Sequence, residues 1–207
     1  MSENKNSKTL AGRKIKILVV DDHPIVLDGL AELINYEADL EVIAKAGNLA
    51  EAIKTVKNQR IDLAIIDMLL KNTTGIQVTK KIKAICPNLI VLIFSMSDEL
   101  KYIEQAFEVG ARGYITKDEL SEKIIDVIRQ ILNGGIYLNK RLAKKFSKRK
   151  LNEFLADNHH TKLCPNERSS LSKYSVGISL RNKYYKSKKK LLYTIWNNNS
   201  IINCKPN

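Results

Sequence analysis

From Lys14 onward, short apolar runs rich in branched residues alternate with longer stretches whose apolar positions recur every three or four residues. KIKILVV, LEVIAKA, IDLAIID, NLIVLIFS and RGYIT have the length and composition of strands. Between them, residues 24–36, 48–58, 75–86, 98–108 and 120–133 carry helical spacing. Pro24 suits a first helical turn, where a missing N–H costs little; Gly110 suits the stop after the fourth helix, and the pair Gly134-Gly135 ends the fifth. Strands apolar throughout and separated by helices predict an α/β fold: a doubly wound (βα)5 unit with a five-stranded parallel sheet covered on both faces. In such a sheet the working site lies at the carboxyl ends of the strands. Residues 140–156 read as one more basic helix or linker, and beyond His160 the periodicity is poor.

Chemistry collects where that rule points. Asp21 and Asp22 follow ILVV, and Asp67 follows LAII. Three carboxylates at one strand edge repel one another unless a cation sits among them, and Mg²⁺ takes hard oxygen ligands while keeping waters for phosphate oxygens. Lys117 follows YIT and Ser95 closes LIFS, adding one basic group and one hydroxyl. Singly these residues read as a helix cap, a surface charge and a turn residue. Together they read as a phosphoryl-transfer site in which one carboxylate is the nucleophile and the cation and lysine neutralise the phosphoryl oxygens.

ILVVDDHPIVLDGL, Asp67 with Gly75 eight residues on, FSMSD and GARGYITKDEL closely resemble the receiver domain of two-component response regulators. DDHP and NGGIYL look most like the branch that carries a helix-turn-helix of the LuxR/NarL (FixJ) type. The resemblance covers residues 14–138 and implies a flavodoxin-like receiver. It implies that Asp67 is the phosphoacceptor for a sensor histidine kinase, and that Asp21, Asp22 and Asp67 hold Mg²⁺ with the Leu69 carbonyl. It further implies that Lys117 pairs with the phosphoryl group, that Ser95 swings toward it, and that Tyr114 turns inward behind Ser95 and repacks a face used in dimerisation. The chain is then no enzyme beyond its own phosphorylation and slow dephosphorylation. One departure is Lys71, where the family usually has Pro, which makes KNTTG an unusual loop beside Asp67; His23 is read as opening the first helix.

Charge changes the picture only for the C-terminal third. From Lys140 on lie 17 of the 35 Lys+Arg but 3 of the 22 Asp+Glu, so this part carries the whole of the net +13. Such a balance favours a polyanion, nucleic acid above all. LCPNERSSL and VGIS match the opening of a LuxR-type helix-turn-helix, but Asn182, Lys183 and Tyr184 stand where that family buries Glu-Ile-Ala. An unpaired lysine there costs several kcal/mol. Codons for Lys189 to Trp196, shifted by two bases, permit Lys-Thr-Val-Ile-Tyr-His-Met, a start for the family's recognition helix. Residues 161–207 are accordingly read as a degenerate, frameshifted helix-turn-helix with impaired DNA binding. Two alternatives stand beside this: a working regulator with a diverged DNA-binding domain, and a receiver acting only as interaction module or phosphate sink. The candidate nucleic-acid contacts are Lys186, Lys188, Lys189 and Lys190, interleaved with aromatics as single strands favour.

The domain plan is a disordered segment 1–13, a receiver 14–138, a linker helix 139–160 and the small α-helical or disordered region 161–207. Cys86, Cys164 and Cys204 lack metal-ligand spacing and read as reduced thiols of a cytoplasmic protein. No apolar run approaches the roughly 20 residues of a membrane span, and the N-terminus lacks a signal-peptide stretch.

Overall fold

The computed structural model describes residues 13–138 and 142–143. The expected N-terminal segment before Arg13, the linker helix apart from 142–143, Cys164, Cys204 and the four candidate DNA-contacting lysines lie outside the described residues.

Five strands alternate with five helices: β1 (Ile15–Val20), α1 (Pro24–Asn35), β2 (Leu40–Ala46), α2 (Leu49–Asn58), β3 (Leu63–Asp67), α3 (Gly75–Ile85), β6 (Ile90–Ser95), α4 (Leu100–Glu108), β7 (Gly113–Thr116) and α5 (Lys117–Leu132). The short β4 (Leu69–Leu70), β5 (Thr73–Thr74) and β8 (Tyr137–Leu138) complete the chain order. The main sheet runs β2-β1-β3-β6-β7-β8 with every pairing parallel. Alternation along each strand divides the core into two layers. Ile17 and Val19 of β1 pack with Leu63, Ile65 and Phe94 against α1 and α5, while Leu18 and Val20 pack with Ile66, Ile93 and Tyr114 against α2, α3 and α4. Strand order reverses between β1 and β3, and there the loops after the two strands part and leave a crevice.

Three features depart from the pattern read in the sequence. The sheet has six strands, not five. Gly134 adopts φ +84°, a left-handed conformation that ends α5 and turns the chain back. The Tyr137 N–H then bonds to the Arg112 carbonyl, so that Tyr137 and Leu138 pair with Gly113 and Tyr114. A two-residue strand is too short to show a period. The KNTTG loop is a second departure: β4 and β5 pair as a small antiparallel hairpin that turns through Lys71 and Asn72 with no non-glycine residue at positive φ. Finally, α5 starts at Lys117 rather than residue 120, because Thr116 is its extended N-cap and Asp118 and Glu119 favour the positive end of the helix dipole. No helix of the described residues is long and apolar enough to cross a membrane.

Candidate functional site

The crevice between β1 and β3 is where charge is buried. Asp21 leaves the end of β1 fully buried, and its Oδ1 accepts the His23 backbone N–H at 2.8 Å and lies 2.9 Å from the His23 Nδ1. Asp67 is the last residue of β3, and its carboxylate accepts the Leu69 N–H. Lys117, the first residue of α5, reaches back under the crevice. Its Nζ donates to Asp67 Oδ2 at 2.9 Å and stands 3.4 Å from Asp21 Oδ2, over the Phe94 ring at 4.8 Å from its centre.

One ammonium does not balance three carboxylates. Burial pushes the Asp67 carboxyl up from 3.8 to about 6; the Lys117 charge opposes the rise and the Asp21 charge adds to it. The Asp22 side chain is only 8% exposed, and its Oδ1 has no hydrogen-bond partner, with His23 Nδ1 at 3.3 Å outside hydrogen-bond geometry. Ligand atoms of Asp21, Asp22, His23 and Asp67 all lie within 4.8 Å of one another. A hard oxygen set with an orphaned buried oxygen fits a divalent cation such as Mg²⁺.

Beside this cluster lies a chain of hydroxyls. Ser95 ends β6, fully buried, and its Oγ accepts the Ser97 N–H at 3.0 Å. Tyr114 is also fully buried, donates its hydroxyl to the Ser97 carbonyl at 2.8 Å and is hydrogen-bonded with Ser95. Burial, reinforced by the charges of Asp67, Asp98 and Glu99 and opposed by the Ser95 bond, pushes its phenol up to about 12. Tyr114 is therefore a donor at any physiological pH.

The backbone behind Asp67 is held by close approach. The Gly75 N–H bonds to the Met68 carbonyl at 2.8 Å, and a Cβ on Gly75 would overlap the Asp67 carbonyl oxygen. Thr74 caps α3 through the Gln77 N–H, fixing the end of the hairpin. Lys71 is exposed at the hairpin turn.

Thus Asp21, Asp22, Asp67 and Lys117 come together in one crevice, with Ser95 and Tyr114 in the adjoining loop. Leu69 contributes its N–H to Asp67, while its side chain is exposed. Two participants were not foreseen. His23 does open α1, as its extended N-cap, but its ring also lies on the acidic pair. Its position between two aspartates and a first-turn proline was the available signal. Phe94 sits beneath the lysine, and nothing in a buried strand distinguishes such a phenylalanine.

A family model for the response regulator receiver domain matches residues 17–129. The chain belongs to that family. The chain is 32% identical over 142 residues to the oxygen regulatory protein NreC of Staphylococcus epidermidis, covering 68% of this chain and 63% of that relative's length, less than two-thirds of it. A LuxR-family two-component response regulator from Aurantimonas sp. is 30% identical, with TM-score 0.62 over 67% of this chain and 99% of that one. The receiver of RcsB from Salmonella enterica, solved with the phosphomimetic BeF3⁻, shares the fold at 17% identity, with TM-score 0.59 over 65% of this chain and all of that one.

Two outcomes follow from the crowded charge and the tight backbone of this receiver. The Asp67 carboxyl titrates higher folded than unfolded, so the stability its proton supplies is present below about pH 4 and is lost as pH rises through about 6. In EDTA at pH 7.5, Asp67→Asn should therefore raise the unfolding free energy by about 1–3 kcal/mol. In urea titrations that gain shrinks toward pH 4, and millimolar Mg²⁺ removes it by stabilising the wild type. Gly75→Ala should cost about 1–3 kcal/mol by the same measurement, since the new methyl group displaces the Asp67 backbone.

Proposed function

We propose that this chain is the response regulator of a two-component phosphorelay, with Asp67 as phosphoacceptor. The observation that carries this is the buried Asp67 carboxylate bound by Lys117 beside the Asp21-Asp22 pair, where Asp22 Oδ1 has no partner. Asp67 attacks the phosphorus of a phosphohistidine on a sensor kinase; the new O–P bond replaces the N–P bond, and the imidazole leaves as the phosphoryl group becomes an acyl phosphate. Asp21, Asp22, Asp67 and the Leu69 carbonyl would hold Mg²⁺, which neutralises phosphoryl oxygens when bound. Lys117 exchanges its contact with the Asp67 carboxylate for one with the phosphoryl group. Ser95 follows that group, and Tyr114 follows Ser95, shifting the population between two packings of the β6–α4 loop. Regulators of this kind are not enzymes in the ordinary sense; self-phosphorylation and slow dephosphorylation are the only chemistry proposed for this one.

The output is read as ancestral transcription control, supported by the regulators this chain resembles. The receiver spans 14–138, after a short N-terminal segment 1–13 and before a linker 139–160. In 161–207, read as a degenerate helix-turn-helix or basic tail, Lys186 and Lys188 to Lys190 supply charge for DNA. The protein works in the cytoplasm and dimerises when phosphorylated.

Acetyl phosphate or phosphoramidate with Mg²⁺ should add one phosphoryl group to the chain by intact mass. EDTA and Asp67→Asn should each abolish it, and Lys117→Ala should slow it. A phosphorylated Asp67→Asn variant would sink the assignment. DNA affinity should be weak, steeply salt-dependent and indifferent to sequence; a preferred palindromic site would instead restore a working DNA-binding domain.

A further inference from the structure

His23 brings an imidazole to a donor set otherwise made of carboxylates. Pro24 confines the residue before it to extended backbone, and His23 is the extended N-cap of α1. Its ring returns over the end of β1, where Nδ1 lies 2.9 Å from Asp21 Oδ1 and 3.3 Å from Asp22 Oδ1. A hydrogen bond to Asp21 explains the first of these contacts alone. Asp22 Oδ1 has no hydrogen-bond partner, although its side chain is only 8% exposed. A buried carboxylate oxygen that faces other donors and accepts no proton is accounted for by a cation.

The separations suit one. With metal–donor bonds of about 2.1 Å, adjacent donors of a six-coordinate cation stand about 3 Å apart and opposed ones about 4.2 Å. His23 Nδ1 stands near the adjacent spacing from both aspartates, and donor atoms of Asp21, Asp22, His23 and Asp67 all lie within 4.8 Å of one another. Mg²⁺ gains little from such a nitrogen, since it is a hard cation that takes oxygen ligands and keeps its waters. Co²⁺ and Zn²⁺ gain far more, because imidazole suits them. We infer that His23 is a specificity-determining ligand, which turns the cation site of this receiver toward divalent transition metals such as Co²⁺ and Zn²⁺. The inference rests on the cation site proposed above and adds which cations that site selects.

Calorimetric titration of the full chain with Mg²⁺ and, separately, with Co²⁺ in one neutral buffer tests this. Proton NMR of the Co²⁺ form accompanies it, because a ligating imidazole then gives strongly shifted ring resonances. His159 and His160 offer a second pair of imidazoles, so the His159→Ala/His160→Ala chain serves as parent. In that parent, His23→Ala should weaken Co²⁺ by about tenfold or more, change Mg²⁺ by less than about twofold and remove the shifted resonances. His23→Asn, which keeps a polar N-cap, should lose the same preference for Co²⁺. Equal weakening of both cations makes His23 a support for Asp21 and overturns the inference. Co²⁺ affinity that survives His23→Ala, or a parent without shifted imidazole resonances, overturns it too. In each of those cases, saturable Mg²⁺ binding to the parent leaves the proposed function standing. No saturable Mg²⁺ binding to the parent removes the cation site proposed above, and the inference with it.

Discussion

Everything at the working edge of this receiver depends on one imbalance: three carboxylates and a single ammonium gathered in a crevice shielded from water. Burial pushes the Asp67 carboxyl up to about 6, with the Asp21 charge adding to the rise and Lys117 opposing it, a cost on the order of 3 kcal/mol when the carboxylate is charged. A fully buried Leu or Ile contributes roughly 1.5–3 kcal/mol, so one or two such side chains offset it. The two hydrophobic layers contain far more than that. The sheet therefore holds the carboxylates in place against desolvation and mutual repulsion, both of which a bound cation would relieve.

Holding them requires backbone as well as core. Asp21 is fixed by the His23 N–H, Asp67 by the Leu69 N–H, and the loop behind Asp67 by a glycine so close that no side chain fits. Lys117 is placed by the start of α5 and by the Phe94 face, which together hold the ammonium in the crevice. Each of these contacts fixes a charged atom through a neighbour in sequence or a neighbouring strand. That is why the arrangement survives a hairpin where the family usually has a proline.

This economy also explains what the sequence disclosed. Strands whose residues are buried on both faces read as apolar runs, so the five strands of the (βα)5 unit and the aspartates and lysine at their ends are all legible. Periodicity cannot report a two-residue strand, so β8 is not legible at the end of the receiver; a hairpin turn made without a left-handed residue leaves no glycine to mark it, so KNTTG reads only as an unusual loop. His23 was read as a helix opener because capping is a backbone role, whereas its ring chemistry depends on where Asp21 and Asp22 point. Nothing in FSMSD says that the Ser97 carbonyl, rather than solvent, receives the Tyr114 hydroxyl.

The position of Tyr114 joins these two accounts. Its strand lies one place from the sheet edge, its ring is in the α4 layer and its hydroxyl lies on the loop that leaves Ser95. A phenol pushed up to about 12 stays protonated in that setting, and its bond to the Ser97 carbonyl ties the ring to the loop. Moving a ring out of a close-packed layer opens a void that neighbours fill only in part, so intermediate positions are costly. The Asp67 charge acts on the Tyr114 phenol, which is itself hydrogen-bonded with Ser95. Packing around Tyr114 makes any shift of that loop a matter of the α4 layer as well as of the charged crevice.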